Sequence, residues 1–85
     1  MFVYVVSVFS TFDREHSIKL FSNEKDAKKF FKEEIAKNKE LYRDCKYYDF
    51  NGDKTGCCID YESTFEEGSI IIKIEKQEVI EGKSE

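Results

Sequence analysis

The chain has no proline, and 38% of its residues are charged against 40% hydrophobic. That balance argues against a low-complexity or linker-like segment and for a folded domain. It has one histidine, His16. Nucleophilic catalysis needs a base within reach of the nucleophile, and His16 stands at the start of a candidate strand with no orienting partner in view. Glycine is also sparse, four in all, and Gly52 and Gly56 do not form the GxxxxGK[ST] spacing of a phosphate-binding loop. Positive charge is not in excess. With 14 Lys and Arg against 18 Asp and Glu the net charge is −4, which gives no support for binding nucleic acid through its phosphates.

Cysteine is scarce and odd in number: Cys45, Cys57 and Cys58. Neighbouring Cys57 and Cys58 project to opposite sides of a strand and are poorly placed to pair with each other. Three reduced thiols in a reducing, cytoplasmic compartment are the expectation. A long hydrophobic run is also missing. Met1 to Ser10 (MFVYVVSVFS) has no basic residue before it and no small-residue cleavage site after it. It is far shorter than the roughly 20 residues of a spanning helix. Its Val, Phe and Tyr content reads as a first core strand, so no membrane partner is expected.

What is present is a clear pattern of elements. Eighty-five residues make one domain, 1–85, with 82–85 a frayed tail. Phe2 to Phe9 is apolar on both faces, Phe2, Tyr4, Val6 and Val8 on one and Val3, Val5 and Phe9 on the other. Such a run signals a central strand. His16 to Phe21 alternates, with Ile18 and Leu20 read as inward and Ser17 and Lys19 as outward, completing a hairpin. Ser22 or Asn23 then caps a helix, with Asp26 three residues after Asn23 approximating a capping box. Ala27, Phe30, Phe31, Ile35, Leu41, Tyr42 and Cys45 share one side at helical spacing.

Glu34 and Asn38 interrupt that stripe. The pattern favours a helix from Glu24 to about Lys39, with Asn38 a candidate left-handed cap. Asn51 to Gly56 is the strongest turn and joins Tyr47–Phe50 to Cys57–Glu62. After Ser63 to Gly68, a strand runs from Ser69 to Ile80, with Ile70, Ile72 and Ile74 on one face and Ile71, Lys73, Glu75 and Gln77 on the other. The fold class is α+β: an antiparallel sheet in the order β-β-α-β-β, with or without a fifth strand, and one amphipathic helix on one face.

Each candidate site has a plain alternative. Asp49-Phe50-Asn51-Gly52-Asp53, with Asp60 at the twelfth position, resembles the opening of a calcium loop. Lys54 stands where the sharp turn wants glycine, and a hairpin turn needs the same Asn-Gly and Asp residues. Cys45, Cys57, Cys58 and His16 lack the CxxC spacing of a zinc knuckle. The lysines Lys25, Lys29, Lys32 and Lys39, with Arg43, run beside Asp26, Glu33 and Glu40 and read as a solvated helix face. No metal, no cofactor and no catalytic residue is expected. The aromatic group Tyr42, Tyr47, Tyr48, Phe50, Tyr61 and Phe65 is the candidate protein-binding set, since tyrosine is enriched at interfaces; its alternative is completion of a small core. Val3, Val5 and Phe9 form a second candidate face, for a partner or for a second copy in a homodimer, because one helix covers one side of a sheet only.

The run Tyr4-Val5-Val6-Ser7, then Ile18 to Ser22, then Glu24-Lys25-Asp26-Ala27-Lys28-Lys29-Phe30-Phe31 resembles small uncharacterised bacterial and phage proteins of ββα type. The resemblance spans about the first third of the chain and implies a stand-alone domain without catalytic residues. By analogy of size and charge with small acidic phage proteins that bind and block a host protein, anti-CRISPR proteins among them, it implies an inhibitor. The resulting expectation is a non-enzymatic protein-binding module. The alternatives are a regulatory or metal-binding domain using the loop 49–60, and a structural homodimer.

Overall fold

Phe2–Ser10 forms strand β1, and His16–Phe21 returns beside it as β2 in the computed structural model, which describes residues 2–78. The chain continues through helix α1 (Glu24–Tyr42) and then strands β3 (Tyr47–Gly52), β4 (Gly56–Glu62) and β5 (Glu67–Glu78). The fifth strand is therefore present. All pairings are antiparallel, and the sheet order is β2-β1-β5-β4-β3. The expected end of the last strand at Ile80 and the tail at 82–85 lie outside the described residues. Of the described helices, none is long and apolar enough to cross a membrane.

That order explains what the helix does. Strands β2 and β3 are the two edges, so α1 carries the chain from one edge to the other across a single face. Its 19 residues span about 28 Å, more than the roughly 19 Å width of five strands, so it crosses obliquely. Under it lie Val6, Cys57, Ile59, Tyr61, Ile70 and Ile72, all buried, against Ala27 and Phe31 of the helix. Phe21 meets Phe30 with ring centroids 5.5 Å apart.

Asn23 is the N-cap. Its Oδ1 accepts from the backbone N–H groups of Lys25 at 2.7 Å and Asp26 at 3.3 Å, which satisfies two of the donors a helix start leaves free. The C-terminal end differs from the sequence expectation. The helix runs through Asn38 to Tyr42 and closes at Arg43 in right-handed geometry. The sole non-glycine residue with positive φ among those described is Arg14. Asn38 is buried and its Nδ2 donates to the Glu34 carbonyl at 2.8 Å, while the Glu34 carboxylate reaches Lys37 at 3.2 Å. Both polar groups are satisfied locally, so the apolar stripe tolerates them. Leu41, assigned by spacing to the packed side, is 65% exposed.

A second difference concerns β2. The register pairs Val5 with Leu20 and Ser7 with Ile18, which puts Ile18 and Leu20 on the face away from the helix. They are 57% and 65% exposed. The side facing α1 carries Phe21 and Lys19, with the Lys19 ammonium 5.5 Å from the Phe30 ring. Alternation within a strand fixes which residues share a face. Which face is inward is set by pairing with the neighbour.

Candidate functional site

The face of the sheet opposite α1 follows from the registers. Leu20, Val5 and Glu75 lie side by side across β2, β1 and β5; Ile18, Ser7 and Lys73 form the next row; His16, Phe9, Ile71, Cys58 and Asn51 the one after. Among the described residues no second helix covers this face. Val3, Val5, Phe9 and Ile71 are half-buried by their neighbours in the sheet, while Ile18 and Leu20 project further. The three residues foreseen as a spare face are thus joined by Ile18 and Leu20 into one apolar field over β2 and β1, to which β5 adds Ile71 while Lys73, Glu75 and Gln77 of that strand bound it. His16 stands edge-on to Phe9 with centroids 5.7 Å apart.

The other half of the face is acidic. Asp49 sits opposite Asp60, and Glu62 opposite Glu67. Like charges directly opposite on adjacent strands destabilise a sheet, and here two such pairs adjoin. Lys46 meets Glu62 at 3.2 Å; Asp49, Asp60 and Glu67 have no cation at ion-pair distance among the described residues. Asp60 is held instead by donors, Ser69 Oγ at short range and Cys58 Sγ at 3.6 Å. Burial and the Asp60 carboxylate push the Cys58 thiol up from its ordinary value, so it is a poor nucleophile at neutral pH. An open depression of about 610 Å³ lies where the β3–β4 turn meets β5, with Asn51, Asp53, Cys58, Lys73 and Glu75 in its lining.

The aromatic group does not form one surface. Tyr61 is buried beneath α1, stacked on Tyr42 with centroids 4.1 Å apart. Burial pushes both phenols above their ordinary range. Tyr48 and Phe50 are half-buried against the same core, and the Lys39 ammonium lies 4.4 Å from the Phe50 ring. Tyr47 is exposed on the opposite face, beside Glu62. Phe65 is 94% exposed, at a turn braced by Ser63, whose Oγ accepts from the Phe65 and Glu66 N–H groups at 3.3 and 3.1 Å. Four of the six residues therefore pack on the helix side.

The loop suggested for a cation is a hairpin turn. Asp53 Oδ1 accepts from Thr55 N and Thr55 Oγ1 at 2.8 Å and from Gly56 N at 3.1 Å. These bonds hold its carboxyl below the ordinary range, the Thr55 N–H contributing most. A Cβ at Gly52 would lie 2.7 Å from Cys57 Cβ, so the tight strand crossing itself requires glycine there. The four residues weighed for zinc are dispersed: Cys45 packs against the core after the helix, Cys57 is buried under α1, Cys58 faces the open side, and His16 packs on Phe9. No group of three potential metal ligands gathers among the described residues.

Ile18, Leu20 and Ile71 were legible as apolar but not as part of this face, because their placement depends on register. Comparison with protein-family models, with curated proteins and with solved structures returned no match. The resemblance of the hairpin and helix to small bacterial and phage proteins draws no support from them.

Proposed function

We propose that the protein is a non-enzymatic protein-binding module and that the sheet face opposite α1 is its binding surface. The observation that carries this reading is the apolar field of Val3, Val5, Phe9, Ile18, Leu20 and Ile71 on a face that no described element covers. Contiguous apolar area of this kind marks interaction surfaces. Ile18 and Leu20 add little to the stability of the isolated domain, since they remain mostly in water. In this reading binding is itself the activity, as in an inhibitor that occupies a partner's surface. The one thiol on this face, Cys58, is held protonated by burial and by the Asp60 carboxylate, and His16 is packed against Phe9.

The test is capture from a lysate of the source cells with the native protein and with Leu20→Glu and Val5→Glu variants, each shown by circular dichroism to be folded. A partner retained by the native protein, and by a Lys25→Glu control on the far side of the helix, is expected to be lost from both face variants. Equal retention by all four proteins refutes the assignment of this face. Sedimentation run alongside identifies a second copy of the chain as occupant if one forms.

A further inference from the structure

The open face is graded: aliphatic residues dominate on β2 and β1, Lys73 and Glu75 stand exposed on the central strand β5, and Asp49, Asp60, Glu62 and Glu67 gather toward the β3 edge. From Leu20 and Val5 to Asp60 and Asp49 the diagonal crosses four strand spacings and about six residues along β5, or roughly 28 Å. A helix of about five turns has that length. The backbone groups within the sheet are committed to its ladders, so this face offers side-chain contacts, and a layer packing on it does so as α1 does on the other side.

We propose that the occupant is a helical segment of a partner protein, aliphatic along most of one face and carrying Lys or Arg at one end. This rests on the protein-binding reading above and adds the chemistry of the partner to it. Charge complementarity selects that partner. Asp49, Asp60 and Glu67 stand together with no ion-paired cation among the described residues, and Lys46 already serves Glu62. A basic helix end relieves two like-charge pairs that the free protein tolerates at some expense in stability, while an acidic end adds to the repulsion. The same distribution disfavours a second copy aligned edge to edge on this face, since that would set one carboxylate corner against the other.

The probe is an 18-residue model helix with leucine on one face and three lysines in its last turns, titrated into the ¹⁵N-labelled protein. A matched peptide carries glutamates in place of the lysines. The lysine peptide is expected to shift the amides of Val5, Ile18, Leu20 and Ile71 together with those of Asp49 and Asp60. It should bind at least tenfold more tightly than the glutamate peptide, and an Asp49→Asn/Glu67→Gln double variant should lose roughly three- to tenfold of that affinity, as two exposed charge pairs would. Equal affinity for both peptides overturns the inference and leaves the protein-binding reading intact. Shifts on the same residues with rising protein concentration and no peptide overturn it in favour of a second copy. No shift with either peptide at millimolar concentration overturns it too, and the capture experiment with Leu20→Glu then decides the broader reading independently.

Discussion

Leu20 and Ile59 are both aliphatic strand residues, yet the structure assigns them opposite energetic roles. Ile59 is fully buried beneath α1. Truncation to alanine removes its transfer free energy and leaves a cavity, which together cost about 3 kcal/mol for a site of this kind. Leu20 keeps 65% of its surface in water. Burying a whole leucine is worth about 2 kcal/mol, so the buried third contributes roughly 0.7 kcal/mol. The expected gap between Ile59→Ala and Leu20→Ala is therefore about 2 kcal/mol. In urea, with a slope on the order of 1 kcal/mol/M for a domain of this size, it appears as a midpoint difference of about 2 M. On heating, Ile59→Ala should lose roughly 12–24 °C and Leu20→Ala only about 3–6 °C. The measurement is equilibrium unfolding by circular dichroism at micromolar protein, with the slope checked to be common to all three proteins. Equal losses from the two substitutions would refute the face assignment. A slip of one residue in the β1–β2 register exchanges the faces of β2 and produces that result.

Asn38→Gly separates a helix-interior position from a left-handed cap: the structure implies a loss of about 1 kcal/mol, where a cap would gain, and urea unfolding reads the sign. The Tyr48 hydroxyl is buried without a hydrogen-bond partner among the described residues, so Tyr48→Phe should leave stability unchanged or raise it by about 1 kcal/mol. The Asp53 carboxyl is held below its ordinary value by the Thr55 and Gly56 donors. Because the folded form has the lower value, its contribution is complete above about pH 4 and is lost as pH falls through the folded value. Carboxyl-carbon NMR should find Asp53 titrating below an ordinary aspartate, and an ordinary midpoint would discount those bonds. Asp60→Asn should speed alkylation of Cys58 by iodoacetamide, since the neighbouring carboxylate helps to hold that thiol protonated; mass spectrometry after timed quenching measures it, and an unchanged rate would remove Asp60 as a cause.

Much of the architecture is legible in the residues. Valine and phenylalanine at Phe2–Phe9, the helix start at Ser22 or Asn23 and the turn within Asn51–Gly56 each act through local chemistry; the strand and the turn are where the residues put them, the structure selects Asn23 as the cap, and the strands claim Asn51, Gly52 and Gly56. The errors arise where the chain's fate depends on a distant partner. Asn38 looks like a terminator because asparagine favours caps, but its amide finds the Glu34 carbonyl one turn back and the helix continues. Ile18 and Leu20 alternate correctly, yet their face is decided by which residues of β1 they oppose. The aromatic residues pose the same difficulty. Tyr47 and Tyr48 are neighbours of one type, and the pleat sends one to solvent beside Glu62 and the other toward the core. The candidate face itself was half visible: Val3, Val5 and Phe9 announce it by being apolar on the wrong side of a one-helix sheet. Its acidic half was not visible, because Asp49, Asp60, Glu62 and Glu67 converge only once β3, β4 and β5 are aligned.

The pairing of β1 with β5 also governs how the molecule is made. Phe2 opposes Glu78, and Val6 opposes Ile74, so β1 finds its second neighbour only after β5 has been synthesised. Until then the β1–β2 hairpin has one free inner edge and two apolar sides. Pairings this remote in sequence are slow to form, and unpaired apolar strands are what nascent chains aggregate through. A chain stopped after β4 would hold both outer hairpins under the helix with no strand between them, so the sheet closes only when β5 enters its centre.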